Sequence, residues 1–241
     1  MADSSRSPAE QPDVQEHGSR GATFDRRLFM QLQVFSQSPA FDPLVAALQS
    51  NPLPAVLYVD VLHPRRVALL TFNESPEFFA DQLRARLNQP PFAALRIVDA
   101  LTMFGRTYTL GYEPDLSEAL LDRPRRTVLN PDWPWAIWYP LRRSGEFAQL
   151  QPDQQRDILM EHGTIGRAFG EADLGRDVRL ACHGLDRNDN DFVIGLTGRA
   201  LTPLSKLIER MRRTQQTSRY IQSLGPFFVG RAVWQSDLPP Q

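Results

Sequence analysis

The sequence predicts an α+β fold made of two tandem ferredoxin-like β-α-β-β-α-β units that together form an α+β barrel. Two observations lead to this prediction. The order of strand-type and helix-type patterns runs through once and is then repeated in the second half of the chain. Each unit would also carry its helices on one face of an antiparallel sheet, so the bare faces of the two sheets must cover each other.

The first unit is predicted over residues 22–130, with no cofactor of its own. Its first strand is indicated by alternating apolar and polar side chains. Ser75 and Pro76 occupy the N-cap and the first position of its second helix. The predicted order is strand 28–35, helix 41–49, strands 55–61 and 66–72, helix 76–87, and strands 94–98 and 106–112.

The second unit is predicted over residues 131–241 and is expected to bind the cofactor. Thr202 is the expected N-cap of its last helix, which carries an apolar stripe at helical spacing. The predicted order is strand 135–141, helix 152–169, strands 176–183 and 192–197, helix 203–213 and strand 227–234. The joint between the units is the stretch 122–134, which has too many prolines for the interior of an element.

Composition excludes several classes of protein. The chain has 241 residues, a formal net charge of −1 and one cysteine, so neither a basic field for nucleic acid nor a disulfide framework is expected. Residues 1–21 are rich in Ser, Pro, Glu and Gln and lack the apolar segment of a secretory signal, which predicts a disordered tail and a cytoplasmic protein. No apolar run reaches the length of a membrane span, about 20 residues.

His162 is the first candidate for chemistry, because it lies on the apolar stripe of the helix 152–169. Ile158 and Ile165 lie one turn away on either side, and Gly166 leaves room beside the ring. A buried imidazole without a partner costs about 1–3 kcal/mol. The residue is therefore either a hydrogen-bonded core histidine or a ligand of a bound group.

The strand 176–183 places residues of different character on its two faces. Val178, Leu180 and Cys182 are expected to meet the helices, and Cys182 is then an inert buried thiol. Asp177 and Arg179 are expected to face the space between the two sheets, together with His183. They form either an ion pair at an exposed rim or polar walls of a cavity.

Motifs for other chemistries are absent. The sequence contains no HExxH, CxxC, GxSxG, GxGxxG or GxxxxGK[ST] pattern. His17 and His63 lie in the tail and in a turn, so the histidines do not suggest a multi-histidine metal centre. A cofactor held through one axial histidine stays open, and haem is the usual case.

Several ordered motifs carry a resemblance to a known family. They are Glu161-His162-Gly163-Thr164-Ile165-Gly166-Arg167, Gly184-Leu185-Asp186, Met211-Arg212 with Ser218-Arg219-Tyr220, and Gly225-Pro226-Phe227-Phe228-Val229-Gly230. Together they resemble the chlorite dismutase superfamily, which includes the peroxide-dependent coproheme decarboxylases of bacterial haem synthesis. The match is close over residues 135–234, whereas the first half matches in its pattern of elements and around Gly105-Arg106-Thr107-Tyr108.

The resemblance implies a site in the second unit that holds haem b or iron coproporphyrin. His162 matches the family's proximal iron ligand, and Tyr139 matches the tyrosine that carries a radical in the decarboxylases. Three further residues match positions that contact porphyrin propionates: Arg143, Arg212 and Thr217, the last standing for a serine. Family members are often homopentamers, so the resemblance also implies a homo-oligomer.

The chain departs from the family on the distal side of the iron. The distal position falls on Asp177, where chlorite-splitting enzymes have arginine and one group of decarboxylases has glutamine. Arg179 on the same strand face, or Arg176 after a one-residue shift in register, would replace the missing arginine. Asp177 and Arg179 are therefore counted with Tyr139 as candidate catalytic residues.

Three functions follow from the resemblance. The preferred one is a haem-dependent oxidoreductase similar to coproheme decarboxylase, which uses peroxide. The second is decomposition of chlorite to chloride and oxygen through Arg179 or Arg176. The third belongs to another class, a haem-binding or carrier protein without catalysis, and Asp177 at the distal position favours it.

Overall fold

The fold class is confirmed in the computed structural model, which describes residues 12–237. Eight long strands follow the predicted order, and of the predicted strand 94–98 only Arg96–Ile97 is present. Every pair of neighbouring long strands is antiparallel. The eight strands are β1 (Phe29–Ser36), β2 (Ala55–Asp60), β3 (Val67–Asn73), β4 (Met103–Thr107), β5 (Trp135–Arg143), β6 (Arg176–Ala181), β7 (Phe192–Gly198) and β8 (Phe228–Gln235).

The two halves of the chain have the same strand order. Neighbouring strands run β4-β1-β3-β2 in the first half and β8-β5-β7-β6 in the second, which is fourth-first-third-second in both. Strand β2 pairs with β8, and β4 pairs with β6, so the two sheets join at both edges. The ring of eight strands is therefore closed, and closure leaves no unpaired sheet edge on these strands.

Helices cover the outside of the barrel. Apolar side chains from both halves fill the interior, among them Leu32, Leu70, Trp138 and Val193. Two further apolar clusters lie between the sheets and the helices of the first and of the second half. The helices are α1 (Asp42–Ser50), α2 (Phe79–Leu83 continued by Arg84–Leu87), α3 (Glu118–Asp122 continued by Arg123–Val128), α4 (Pro152–Glu171) and α5 (Leu201–Met211).

The joint between the units is helical at its start, against the prediction of an irregular stretch over 122–134. Helix α3 accommodates Pro124 because it is preceded by a π turn, in which the Arg123 N–H donates to the Glu118 carbonyl. The missing N–H of Pro124 then falls in the first turn of the following α-helical segment, where it has no obligatory partner.

The predicted disordered tail is wrong for the part that the structure describes, whereas residues 1–11 lie outside the described residues. Glu16–His17 pairs with Thr23–Phe24 in a small hairpin. The Glu16 carboxylate accepts hydrogen bonds from the Arg106 side chain at 2.6 Å and from the Thr109 backbone at 3.0 Å. This charged contact fastens the hairpin to the end of β4.

Several boundaries differ from the prediction. Strand β4 covers Met103–Thr107 instead of 106–112, so the chain from Tyr108 onward leaves the sheet. Helix α5 begins after Ala200, which places Thr202 inside the helix instead of at its N-cap. A short strand, Ile221–Leu224, pairs with β5 and was not predicted. No helix between residues 12 and 237 has the length and apolar character needed to cross a membrane.

Candidate functional site

A cavity of about 440 Å³ lies in the second half, between the outer face of the sheet and helices α4 and α5. Its size falls within the usual range of small-molecule sites, roughly 300–1,000 Å³. All seven residues that the sequence singled out for the site contribute to its walls, and they come from five separate segments: Tyr139, Arg143, His162, Asp177, Arg179, Arg212 and Thr217.

The prediction for β6 grouped its side chains correctly into two faces. It was wrong about which face meets the helices and which faces the space between the sheets. Val178 and Leu180 belong to the cluster inside the barrel. Asp177 and Arg179 face the helices and line the cavity. Alternation fixes which residues share a face, whereas the composition of the opposing layer decides which face is covered by helices. The space between the sheets is a packed core and holds no polar residue of this strand.

Helix α4 contributes three glycines to the cavity wall, beside side chains such as His162 and Leu159. Gly163, Gly166 and Gly170 all contribute to the cavity wall, at spacings that place them on one side of the helix. A Cβ atom at Gly163 would meet no other atom within 4 Å, and one at Gly166 would meet only Met211 Cε, at 3.6 Å. Glycine inside a helix costs about 1 kcal/mol relative to alanine, and packing against protein atoms does not require it at these two positions.

His162 is held by one ring nitrogen and lies on the cavity wall. Its Nδ1 lies 3.2 Å from the Thr214 hydroxyl oxygen. That hydroxyl donates its single proton to the Met211 carbonyl at 2.7 Å, so it accepts from the imidazole. Burial lowers the pKa of His162 to about 4. The ring is therefore neutral at neutral pH, with a proton on Nδ1 and a lone pair on Nε2.

Arg143 and Arg212 are two of five arginines on the cavity wall that form no ion pair with a carboxylate among residues 12–237. Arg143 lies between two aromatic rings, 4.4 Å from the centroid of Phe147 and 4.8 Å from that of Phe192. Its Nε is buried and makes no hydrogen bond, and burial lowers the pKa of its guanidinium. Arg212, just beyond the end of α5, is exposed. Such cations favour an anionic ligand.

Tyr139 is a buried phenol on strand β5 whose ring packs against Phe227, with centroids 4.7 Å apart. Burial raises the pKa of the phenol, and the nearby Asp177 carboxylate raises it further. The hydroxyl makes no hydrogen bond with any residue between 12 and 237, although the residue contributes to the cavity wall. It is therefore a neutral hydroxyl that is available to a ligand.

Asp177 and Arg179 form an ion pair on the sheet side of the cavity. Arg179 Nε lies 3.4 Å from Asp177 Oδ2, and its guanidinium also approaches Glu113 at 3.8 Å. Burial lowers the pKa of Arg179, but Asp177, Glu113 and two tyrosines raise it more, so the guanidinium stays charged. The structure combines the two interpretations made from the sequence, because the residues form an ion pair with the Asp177 side chain 48% exposed and both also line the cavity.

The first half of the chain also contributes to the cavity. Tyr108 and Tyr112 follow β4 and reach the cavity wall. Tyr108 packs against Phe192 with centroids 5.3 Å apart, and Arg179 lies 6.0 Å from its ring centroid. These residues were not predicted as site residues, because the sequence placed 106–112 in a strand of the first unit. The four-residue match at 105–108 was the available signal.

The other histidines and the cysteine lie outside the cavity wall. His183 is exposed and contacts Asp191 at 3.3 Å. His17 pairs with Asp13, and the His63 ring accepts from the Arg65 backbone. Cys182 is buried in the barrel interior, and burial raises the pKa of its thiol to about 12. In the described part of the chain no group of three or more His, Cys, Asp or Glu residues is arranged to hold a metal ion.

Solved structures with the same fold are found among haem proteins and chlorite-splitting enzymes. A haem-binding protein from Thermus thermophilus is 18% identical, with a TM-score of 0.68, over 86% of this chain and 91% of that one. Chlorite dismutase from Candidatus Nitrospira defluvii in complex with imidazole is 13% identical, with a TM-score of 0.64, over 87% of this chain and 92% of that one. At these identities the likeness shows the fold.

The sequence itself supplies the assignment to a family. Residues 96–233 match the family model for chlorite dismutase. The matched segment covers more than half of the 241 residues and contains the residues of the second half that line the cavity. This chain belongs to the chlorite dismutase family.

Proposed function

We propose that the cavity binds an iron porphyrin, haem b or iron coproporphyrin, with His162 Nε2 as the axial ligand. The observation that carries this proposal is the Thr214 hydroxyl, which accepts from Nδ1 and so leaves the lone pair on Nε2. A neutral imidazole with a fixed second nitrogen is the arrangement found in metal-ligating histidines. The family assignment and the haem-binding protein of the same fold support the same cofactor.

The other residues on the wall fit the porphyrin's shape and charge. The glycine face of α4 leaves room for a flat ring at Gly163 and Gly166, where a Cβ atom would meet nothing within 4 Å or only Met211 Cε at 3.6 Å. Arg143 and Arg212 provide cations for propionate carboxylates, and Arg143 has a buried Nε with no protein acceptor. The Thr217 hydroxyl, on the same wall, would donate a further hydrogen bond.

We propose peroxide-dependent decarboxylation of coproporphyrin as the reaction. Each propionate and one hydrogen peroxide, with one proton, give a vinyl group, carbon dioxide and two waters, so two electrons pass from the propionate to the peroxide. When bound, the iron supplies the oxidising equivalents that it takes from peroxide. Tyr139 carries the oxidation to the propionate, because its phenol loses and regains one hydrogen atom in a buried position beside the arginines.

Asp177 and Arg179 are proposed to act on the oxidant, Asp177 as the proton acceptor and Arg179 as its positioning partner, on the side of the cavity formed by the sheet. Asp177 is held by Arg179 at 3.4 Å and keeps an exposed carboxylate, which accepts a proton from incoming peroxide. Arg179 holds that carboxylate in place and remains charged. A carboxylate base replaces the arginine or glutamine that the resemblance led us to expect.

Chlorite decomposition is the second candidate reaction, and one observation favours it. The Arg179 guanidinium lies on the cavity wall, where it would attract an anionic oxidant. The Asp177 carboxylate beside it opposes the same anion and places this reaction second. A haem carrier without catalysis is the third candidate, which predicts binding but no turnover with either oxidant.

Mixing the protein with ferric coproporphyrin and adding peroxide in steps tests the preferred reaction directly. Chromatography with mass detection should show successive losses of formic-acid equivalents, one per peroxide consumed. Oxygen release from chlorite, measured with an electrode, identifies the second candidate. Binding with unchanged porphyrin mass under both oxidants identifies the carrier.

Tyr139→Phe separates binding from chemistry in that experiment. The variant should retain the absorption spectrum of the bound porphyrin, because it keeps the ring that packs on Phe227. It should lose decarboxylation by at least about a hundredfold, in the range typical for removal of a proton-transfer group. Tyr58→Phe removes a buried phenol inside the barrel and serves as the matched control with full turnover.

We also propose that the protein works in the cytoplasm as a homo-oligomer, as the resemblance implies. Mass photometry of the purified protein measures the number of subunits, and a single monomer peak would exclude an oligomer.

A further inference from the structure

We propose that Thr214 positions the axial histidine and sets its electronic character, because its hydroxyl, and not a carboxylate, accepts the Nδ1 proton of His162. The part of this inference that concerns iron rests on the proposed function. The part that concerns the tautomer of His162 applies to the protein without a porphyrin. Neither the spacing of the motifs nor the sequence resemblance pointed to Thr214.

The hydrogen bonds around Thr214 determine which group donates. Its Oγ1 lies 2.7 Å from the Met211 carbonyl, 3.2 Å from His162 Nδ1 and 3.4 Å from the Thr217 backbone nitrogen. A threonine hydroxyl has one proton, and the Met211 carbonyl can only accept. The shortest contact therefore takes the proton, and the imidazole and the backbone N–H both donate to the threonine oxygen.

The carboxylate nearest in sequence is engaged elsewhere. Glu161 precedes His162 on α4 and accepts from the Gln215 backbone N–H at 2.9 Å. Within residues 12–237 no Asp or Glu makes a hydrogen bond with the His162 ring. The segment 212–217 thus binds two consecutive residues of α4. The Gln215 backbone N–H donates to the Glu161 side chain, and the Thr214 hydroxyl accepts from the His162 ring.

The chemical consequence follows from the strength of the acceptor. A carboxylate would draw the Nδ1 proton strongly and make the ring a better electron donor to iron. An uncharged hydroxyl is a weaker acceptor than a carboxylate, so the ring stays close to a neutral imidazole. A less electron-rich axial ligand stabilises ferric iron less, which raises the reduction potential.

Geometry also connects this bond to the cavity wall. Thr214 is buried, whereas Thr217 lies on the cavity wall with its hydroxyl 3.4 Å from that of Thr214. Arg212 and Thr217, the proposed partners of propionates, flank Thr214 in the sequence. The segment that positions His162 therefore also carries the two side chains that would hold propionates.

Nitrogen NMR of the protein without porphyrin tests the tautomer. Long-range ¹H–¹⁵N spectra should show His162 protonated at Nδ1 and unprotonated at Nε2, with the signals assigned by their loss in His162→Ala. Thr214→Val should change this pattern, whereas Thr214→Ser should keep it. Ser218→Ala is the matched control, because it removes a hydrogen bond to the Thr214 carbonyl without touching the imidazole.

The reduction potential of the iron-loaded protein tests the electronic effect. The potential should fall in Thr214→Glu, stay close to wild type in Thr214→Ser and rise in Thr214→Val. Thr214→Val should also weaken porphyrin affinity by about 10- to 100-fold, as expected when the partner of a metal-ligating histidine is removed.

The outcomes separate this inference from the proposed function. Protonation of His162 at Nε2 in the free protein, or identical potentials in wild type, Thr214→Val and Thr214→Glu, would overturn the role of Thr214. Failure of the wild type to bind an iron porphyrin would overturn the proposed function, while the expected NMR pattern would still hold.

Discussion

The two halves of the barrel have the same strand order and the same placement of helices on the sheet, yet the layers between helices and sheet differ, and the cavity lies in that of the second half. In the first half, the layer between helices and sheet is filled by large apolar side chains: Phe35, Phe78 and Phe92, with leucines from α1, α2 and the strands. In the second half, the corresponding layer contains the cavity of about 440 Å³. The two halves share one topology, but the side chains between helices and sheet fill the first half and leave a cavity in the second.

This difference shows that the fold alone does not create the site. Helix α4 has glycine at three positions on the cavity wall, whereas α1 presents Leu44 and Leu48 to its sheet. The second half thus has fewer apolar contacts between α4 and its sheet and a less stable helix, and the space that results is the cavity. We call the layer around Phe35, Phe78 and Phe92 in the first half the filled layer, and the layer that contains the cavity in the second half the hollow layer. Substitutions in the filled layer should change stability, whereas substitutions in the hollow layer should change ligand binding.

The largest expected change in stability comes from the filled layer. Phe92→Ala removes a buried ring that packs 6.0 Å from Phe35, centroid to centroid. It should lower the free energy of unfolding by about 3–5 kcal/mol, measured by urea denaturation. At a temperature where the variant is still folded, its porphyrin affinity should equal that of wild type. A marked loss of affinity in the folded variant would show that the two layers are coupled.

A smaller change of opposite sign is expected in the hollow layer. Gly166→Ala should raise the free energy of unfolding of the porphyrin-free protein by up to about 1 kcal/mol, because alanine is the better helix former. The new methyl group projects toward the cavity near Met211, so porphyrin affinity should fall by about tenfold or more.

Ala46→Gly, on an exposed part of α1, is the mirror control for Gly166→Ala. It should cost about 1 kcal/mol of stability and leave porphyrin binding unchanged. If Gly166→Ala bound porphyrin as tightly as wild type, the glycine face of α4 would have no role in making space.

The smallest change in stability is expected for Tyr139→Phe. Its hydroxyl has no hydrogen-bond partner among the described residues, so the variant should unfold within about 1 kcal/mol of wild type. Denaturation in urea, run beside the turnover experiment, checks this value. A larger loss would mean that the phenol supports the fold, and would weaken its assignment to chemistry.

The sequence predicted the order of elements and the members of the site better than it predicted their surroundings. Periodicity gave the eight strands and four of the five helices, most of them within a few residues, whereas α3 was not predicted and β4 was placed too far along the chain. The resemblance named seven residues from separated segments, and all of them line one cavity. Their proposed roles remain predictions.

The remaining features depend on packing that no local pattern encodes. Alternation in β6 could not tell which face of the strand the helices cover, so Val178 and Asp177 were assigned to the wrong layers. Thr214 is 52 positions from His162 and reaches it only through the docking of 212–217 on α4. The helix through Pro124 depends on a π turn, for which the sequence has no reliable signal.

The central claim is that the hollow layer of the second half holds an iron porphyrin through His162. Absorption titration of wild type and His162→Ala with ferric coproporphyrin tests it most directly. A shifted, saturable Soret band is expected in wild type, and its loss is expected in His162→Ala. The variant should lose only about 1 kcal/mol of stability, because a single hydrogen bond is removed. Equal Soret bands in both proteins, or none in wild type, would contradict the account.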